Sequence, residues 1–401
     1  MRMPPASFLA LSFLLSATAA HAESTAAAAP APGIEFSGSG FLTLGVGRML
    51  GGSRGNVADN DCPCFIADYA QAGVYDGRSG LQWKPDSKLG LQGTASITGT
   101  NFSMTAQAVA RGARDGRVNI EWLYASQALD EKTTLQIGRK RLPMFYYSDT
   151  QDIGFAMPWT HLPPQLYGWE AVNYNGVNLL HQDHWGGWAA TLNVLAGSET
   201  KKESGYWKIY KGRQNRTDIR WNSILGGDLT LSNGGFETRL VYIQSRTRTR
   251  NVTGSWDPAM QSYDSTTANA AFTPATRQRI HGIAFNVDRD DWLIRTEFIH
   301  IDRPGENWKD FSQIVGVGRR FGLWQLMATW SGFHANANLS AGGNPDGQEA
   351  HENRSITLRY DLTSTSALKA QLDSQKDRGG PNWAPRYGDS RLLTFAYDSV
   401  F

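Results

Sequence analysis

Residues 356–373 read ITLRYDLTSTSALKAQLD, and this stretch shows the pattern that decides the fold. Apolar residues occupy every second position over 356–360 and again over 368–372, with polar residues between them. Successive side chains of a strand point to opposite faces, so a period of two predicts strands with one apolar and one polar face. The short segment 362–366 predicts a turn, and the whole stretch is predicted to be a β-hairpin.

The same alternation recurs along the chain, for example over 102–111, 118–124 and 324–331. A soluble β-sandwich would show this alternation too, so the connections must distinguish the two folds. Short turns are predicted at 99–101, 130–132, 183–187, 232–235, 288–291, 321–323 and 362–366. Long polar stretches are predicted to be loops at 51–80, 148–172, 198–217, 251–278 and 335–353.

Short turns that alternate with long loops are typical of outer-membrane barrels, whose turns are periplasmic and whose loops are extracellular. Counting the runs between these connections predicts about 16 strands. The fold class is therefore all-β, a transmembrane antiparallel β-barrel. A barrel of this size leaves an aqueous lumen rather than a packed interior.

Composition excludes several other classes of protein. No apolar run approaches the roughly 18 residues that a membrane helix requires. The mean hydropathy of −0.42 suits a barrel, because only every second strand residue faces lipid. The net charge of +2 lacks the strong basic excess of a nucleic-acid binder, so no nucleic-acid partner is expected.

The first 33 residues predict a targeting segment and a leader. Residues 1–22 have a short positive start, an apolar core and a small-residue cleavage site, which together indicate a secretory signal peptide. The Ala- and Pro-rich residues 23–33 predict a flexible leader. The barrel is then expected to occupy 34–401.

Three stretches resemble Gram-negative outer-membrane porins. The final residues 393–401 read LTFAYDSVF, with alternating aromatics and a terminal Phe. Residues 36–47 are similar to the Gly-rich first strand of such porins. Residues 135–143, followed by Tyr146, Tyr147 and Ser148, are similar to the strand before the pore-constricting third loop.

The resemblance implies a homotrimer of 16-stranded diffusion pores in the outer membrane, each with its third loop folded inward. It also implies recognition of Phe401 by the barrel-assembly machinery, contact with outer-membrane lipids and lipopolysaccharide, and no cofactor. The third loop is expected to place Asp149, Asp152 and Glu170 at the constriction.

Strand parity predicts which charged side chains line the pore. The inward cations are expected to be Arg111, Arg139, Arg141, Arg220, Arg246, Arg248, Arg250, Arg295, Arg359 and Lys369, with a bulge at Gly138 shifting the phase for Arg139 and Arg141. The inward carboxylates are expected to be Glu121, Asp228, Glu297, Asp361 and Asp373. This basic surplus predicts a pore for small polar solutes with weak anion preference.

Other interpretations of the same residues stay open. Arg246, Arg248 and Arg250 could instead meet lipopolysaccharide or solvent, and Arg295 could simply pair with Glu297. Aromatics such as Trp122, Tyr124, Trp188, Trp292, Trp324 and Tyr397 are interpreted as interfacial girdles.

Two further features bear on function. Cys62 and Cys64 favour a local disulfide or an inert loop over a metal site, because no His lies nearby. No nucleophile motif or metal-binding motif appears, so no catalytic or metal site is predicted. A barrel-based surface structural protein or adhesin, or an outer-membrane hydrolase, remains an alternative to the pore.

Overall fold

The computed structural model describes residues 33–77, 80–212, 215–253, 256–257, 262–263, 271–337, 348–379 and 387–401. The predicted signal peptide (1–22) lies outside these residues, and so does the predicted leader (23–33) apart from Gly33. Within the described part, no helix has the length and apolarity needed to cross a membrane.

Sixteen strands form one closed antiparallel barrel. They are β1 (Ile34–Gly52), β6 (Lys88–Ile97), β7 (Phe102–Arg111), β8 (Val118–Ala128), β9 (Thr133–Arg141), β10 (Asn173–Trp185), β11 (Trp188–Lys201), β12 (Asn215–Asn233), β13 (Phe236–Thr253), β16 (Thr276–Arg289), β17 (Trp292–Arg303), β18 (Trp308–Phe321), β19 (Trp324–Ala337), β20 (Glu349–Thr363), β21 (Ser366–Asp377) and β22 (Ser390–Val400). The predicted fold class and strand number are confirmed.

The loops contain the remaining regular structure. Short strands form three small hairpins: β2 (Gly55–Val57) with β3 (Asn60–Cys62), β4 (Phe65–Asp68) with β5 (Gly73–Tyr75), and β14 (Trp256–Asp257) with β15 (Ser262–Tyr263). The helices are α1 (Pro164–Tyr167) and α2 (Gly205–Lys211), with 3₁₀ turns at Gly112–Arg114 and Gly154–Ala156.

Each barrel strand pairs with its neighbours in the chain, and β1 closes the cylinder by pairing with β22. The closing register runs from Phe41 opposite Val400 to Gly52 opposite Ser390. Closure leaves no unpaired strand edge exposed to hydrocarbon.

All seven predicted short turns join strands at one end of the barrel. Between β12 and β13 only Gly234 and Gly235 connect the strands, with φ of 54° and 91°. A two-residue hairpin turn of this kind requires positive φ at both positions, which glycine adopts without steric cost. The long loops lie at the opposite end.

The hairpin predicted at residues 356–373 has its faces oriented as predicted. Ile356 and Leu358 are 55% and 40% exposed on the outer face, while Thr357 and Arg359 are 1% and 5% exposed on the inner face. The barrel therefore presents apolar side chains outward along β20.

In β8 the predicted face changes partway along the strand. Gln107 lies opposite Trp122 but Ala108 lies opposite Ile120, so Glu121 is an extra residue in the ladder. This bulge turns Trp122 and Tyr124 to the inner face, whereas Ile120 stays outside. The prediction that these two aromatics belong to the outer girdle is wrong.

In β13 the predicted inward face is the outward one. Leu240 and Tyr242 are 46% and 43% exposed, whereas Val241 and Ile243 are buried. Arg246, Arg248 and Arg250 share the face of Leu240 and Tyr242. Arg220 of β12 lies opposite Arg248 and therefore faces outward as well. The assignment of these four arginines to the pore lining is therefore corrected. The error arose because the inner residues of this strand are apolar too.

Arg139 is also corrected. The ladders of β9 with β8 and β10 run without a register shift, so Gly138 carries no bulge. Arg139 therefore lies opposite Leu123, which is 52% exposed, on the outward face. Its guanidinium donates to Glu199 Oε2 at 2.8 Å.

Two pairs of facing glycines give a matched test of barrel packing. Gly176 lies opposite Gly197, and a Cβ on Gly176 would lie 2.0 Å from the Ala196 carbonyl oxygen. We expect Gly176→Ala to lower the thermal unfolding midpoint by separating these backbones, at a cost of about 1–3 kcal/mol. Heat-modifiable migration on gels measures this midpoint.

The control is Gly93→Ala. Gly93 also faces a glycine, Gly38, but the nearest atom to its Cβ would be 3.9 Å away. This variant should melt like the unmodified barrel. Equal midpoints for the two variants would contradict the close approach of β10 and β11.

Candidate functional site

The third loop (residues 142–172) lies inside the barrel. Tyr146 donates its backbone N–H to Glu297 on β17 at 2.8 Å, and Trp159 donates its indole N–H to Thr329 on β19 at 2.8 Å. Lys369 on β21 donates to the Trp159 carbonyl at 2.8 Å. A segment that bonds to strands around the circumference can lie only in the lumen.

One side of the lumen holds the third loop through apolar packing. Phe145, Tyr147, Trp159 and Tyr167 belong to one buried cluster with inward residues of six strands. The strand residues are Ile224, Ile243, Ile280, Ile299, Ile314 and Met327. Burial of a large apolar side chain is worth about 1.5–3 kcal/mol, so this contact anchors the loop strongly.

The opposite side holds the third loop through charge. Arg111 donates to Asp152 and to Glu121, at 2.6 Å each, and Arg141 also pairs with both carboxylates. Burial would raise the pKa of Asp152, but Arg111 and Arg141 outweigh it and hold the pKa well below its usual range. This four-residue cluster is buried, and losing one partner of such a network costs about 3–5 kcal/mol.

His161 joins three parts of the molecule. Its ring nitrogens lie 3.1 Å from Asp86 of the first loop (residues 53–87) and 3.4 Å from Asp373 of β21. Tyr75 donates to the same Asp86 at 2.7 Å. Burial would lower the pKa of His161, but Asp86 and Asp373 outweigh it and raise the pKa to about 10.

The first loop and the fourth loop (residues 202–212) also contact the third loop. Trp207 donates to Glu170 at 2.7 Å, and Trp221 of β12 donates to the same carboxylate at 2.8 Å. Burial raises the pKa of Glu170 despite these hydrogen bonds. Tyr69 of the first loop lies against Tyr206, with ring centroids 6.0 Å apart.

Cys62 and Cys64 form a disulfide within the first loop, which confirms the interpretation favoured over a metal site. Both cysteines pack in a buried cluster with Ile209 of α2 and Tyr387. Among the described residues, no group of three or more metal-ligating side chains converges.

Much of the inner wall is buried, most completely where the first, third and fourth loops pack against it. Each of the sixteen barrel strands carries at least one buried inward residue. Even polar wall positions such as Thr43, Gln371 and Thr394 are at most 2% exposed. The lumen is therefore much more filled than the alternating pattern suggested.

The structure brings most of the predicted pore-lining residues into contact with the third loop. Arg111 and Arg141 bind Asp152, and Arg295 binds the Tyr147 hydroxyl. Glu297 accepts a hydrogen bond from the Tyr146 backbone N–H. Arg359 donates to the Phe155 and Met157 carbonyls, and Lys369 donates to the Gly154 and Trp159 carbonyls. Arg139, Arg246 and Arg248 lie on the outward face instead. Arg295 pairs with Asp288 at 3.4 Å, and not with Glu297, the partner considered from the sequence.

The three predicted constriction residues have different environments. Asp152 and Glu170 are buried in contacts that fasten the third loop, and Asp149 is exposed. Sequence reasoning missed His161, Asp86 and Arg239 as loop anchors. Arg239 lies on the inward face of β13 and pairs with Asp228 at 3.2 Å. It would have been identified if the inward face of β13 had been assigned correctly.

The charged His161 node predicts a pH dependence. A group whose pKa is raised on folding stabilises the native state fully below its unfolded pKa of about 6.5. For His161 this contribution falls as pH rises and is lost near its folded pKa of about 10. We expect His161→Gln to lower the unfolding midpoint most at about pH 6 and least at about pH 10.

Thermal unfolding across this pH range measures the effect, with His184→Gln as the control because His184 is exposed at a short turn. That control should shift the midpoint little at any pH. A deficit of the His161→Gln variant that stays constant between the two pH limits would show that His161 is uncharged in the folded barrel.

Solved outer-membrane channels share this fold over nearly their whole length. The outer membrane channel DcaP of Acinetobacter baumannii superposes with a TM-score of 0.58 at 10% identity, over 92% of this chain and 98% of that one. An anion-selective porin from Comamonas acidovorans gives 0.56 at 13% identity, over 92% and 100%. Salmonella typhi OmpF in complex with daunomycin gives 0.52 at 11% identity, over 91% and 97%.

No protein-family model matches the sequence, and no curated protein matches it. At 10–13% identity the likeness to the solved structures concerns the fold. The predicted barrel fold is confirmed. The chain has the fold of the outer-membrane porins, a closed antiparallel β-barrel of sixteen strands.

Proposed function

We propose that this protein is an outer-membrane channel for small hydrophilic solutes, restricted by its third loop. The observation that carries the proposal is a closed sixteen-stranded barrel whose third loop enters the lumen and bonds to the wall on opposite sides. A loop held this way limits the width of any passage. The solved channels of the same fold support the assignment.

The covered wall supports a gated form of this proposal. The third loop is joined to the wall on one side by the buried ion pairs of Arg111, Arg141 and Asp152. We infer that solute passage requires this side of the loop to move, since the apolar side would lose far more buried contact.

We further propose a weak anion preference, which we ascribe to the charged residues at the extracellular mouth. Most inward cations are neutralised by carboxylates, as Arg239 is by Asp228. At the mouth, a depression is lined by Arg114, Arg117, Lys208 and Arg216, with Asp115 and Glu203 as its acidic residues. Four cations against two carboxylates leave a positive surplus that attracts anions.

Arg114 contributes most to that surplus. Arg117 pairs with Glu203 at 3.3 Å, whereas Arg114 has no ion pair within the described residues. Burial lowers the pKa of Arg114, and repulsion from Arg117 and Arg111 adds to this effect against the attraction of Glu203. An anion at the mouth would relieve this repulsion. The Comamonas acidovorans porin of the same fold is described as anion-selective.

A surface structural protein built on the barrel is the second candidate function. The filled lumen favours it, because a structural barrel requires no passage. We propose no catalytic activity, metal or cofactor for either candidate. The two candidates differ in one measurement, since a structural barrel predicts no conductance in planar bilayers.

The proposed partners follow from the fold. Assembly as a homotrimer, contact with lipopolysaccharide, and recognition of the last strand by the barrel-assembly machinery remain proposals. Phe401 exchanges two backbone hydrogen bonds with Gly40, at 2.7 and 3.0 Å, and the residue is 65% exposed. The aromatic ring is thus accessible on the outer surface at the closing seam.

Release of the third loop should increase conductance. Asp152→Asn leaves Arg111 and Arg141 with Glu121 alone, so we expect larger or more frequent single-channel openings in planar bilayers. Glu131→Gln is the control, because Glu131 lies exposed in the short turn between β8 and β9, away from the third loop. Silence from the folded wild type and from both variants would reject the channel and favour the structural barrel.

Charge selectivity has its own test. We expect the reversal potential of the wild type in a KCl gradient to show weak anion preference, reduced by Arg114→Gln with Arg117→Gln. The preference should fade at high salt, where the Debye length shrinks to about 3 Å. Arg319→Gln, an outward exposed arginine, is the control. Cation preference of the wild type would reject the anion-preferring pore.

A further inference from the structure

Four arginines form a cluster on the outer surface of the barrel. We call Arg220, Arg246, Arg248 and Arg277 the outer arginine cluster; they lie on the outward faces of β12, β13 and β16. Nearer the short turns, these faces carry exposed apolar residues, namely Leu225, Leu240, Tyr242, Ile283 and Phe285. The cluster therefore begins where the apolar band ends, towards the long loops.

The cluster brings like charges into direct opposition. Arg220 lies opposite Arg248, and Arg246 lies opposite Arg277. Within the described residues, none of the four has an ion pair with a carboxylate. Like charges directly opposite each other on a sheet are destabilising. Arg250 shows the contrast, since it lies opposite Asp218 and pairs with it at 2.6 Å.

A phenyl ring supports one of these guanidinium groups. Phe272 lies 4.4 Å from the Arg220 guanidinium carbon and 4.8 Å from that of Arg250. Stacking on an aromatic face holds an arginine in place while its edge N–H groups remain free to donate. The ring therefore helps to arrange the cluster as a set of donors rather than as mobile side chains.

We propose that the outer arginine cluster binds the phosphate groups of a phosphorylated lipid headgroup in the outer leaflet. The planar fork of arginine matches phosphate oxygens in two-point hydrogen bonds. A phosphate between the opposed pairs removes their repulsion. Headgroup phosphates are held at the boundary between the apolar band and water, which is the depth of the cluster, whereas a free anion must be recruited from dilute solution.

This assignment depends on the membrane-barrel fold and not on what the lumen conducts. Its failure therefore leaves the channel proposal intact, and a silent channel leaves the lipid site intact. The two proposals are separated by measuring lipid-dependent stability in one experiment and conductance in another.

The test uses the full barrel in phosphatidylcholine vesicles, with and without lipid A, which carries two phosphates. We expect lipid A to raise the unfolding midpoint of the wild type by roughly 5 °C. Arg246→Gln with Arg277→Gln should lose at least half of that gain. In zwitterionic detergent the same double variant should melt at or above the wild-type midpoint, because the repulsion is relieved.

Arg354→Gln with Arg391→Gln is the matched control, since both arginines are exposed on the outward faces of β20 and β22 away from the cluster. It should keep the full gain from lipid A. Inorganic phosphate is the second arm, and millimolar phosphate should not reproduce the shift. A gain in the cluster variant equal to that of the wild type overturns the proposal. A shift of the same size with free phosphate also overturns it. So does the finding that these arginines are required for a chemically cross-linked oligomer but not for the response to lipid A.

Discussion

Backbone hydrogen bonding in hydrocarbon is the constraint on which the rest of this structure depends. No water is available there to pair an exposed N–H or C=O group, so the sheet must close. The pairing of β1 with β22, from Phe41 opposite Val400 to Gly52 opposite Ser390, completes that closure. Once the cylinder is closed, every strand has one face towards lipid and one towards the lumen.

The lumen then acquires two unlike walls because one loop must pack against both. Ile243, Ile280 and Ile299 meet the aromatic residues of the third loop on one side. On the other side Arg111 and Arg141 meet Asp152. The apolar contacts hold the loop independently of protonation, whereas the polar side depends on buried charged groups. The difference makes the polar side the natural place for movement.

Sequence patterns were reliable where the lumen wall is polar and misleading where it is apolar. In β20, Ile356 and Arg359 fall on the predicted faces because their polarities differ. In β13, Val241 and Ile243 are as apolar as Leu240 and Tyr242, so hydropathy could not separate the inner face from the outer one. The bulge at Glu121 had no local signal either. His161 was unremarkable in sequence, because Asp86 and Asp373 are distant along the chain.

From sequence alone came the strand period, the seven short turns, the number of strands and the end of the barrel that carries long loops. These features are local, since each depends on a few consecutive residues and on the pleat of a strand. The tertiary structure decided which wall of the lumen is apolar, which cations fasten the third loop, and that Arg246 and Arg248 face outward. Those features depend on which side chains meet across the lumen or across neighbouring strands. Such meetings are set by register and loop packing, which no short stretch of sequence encodes.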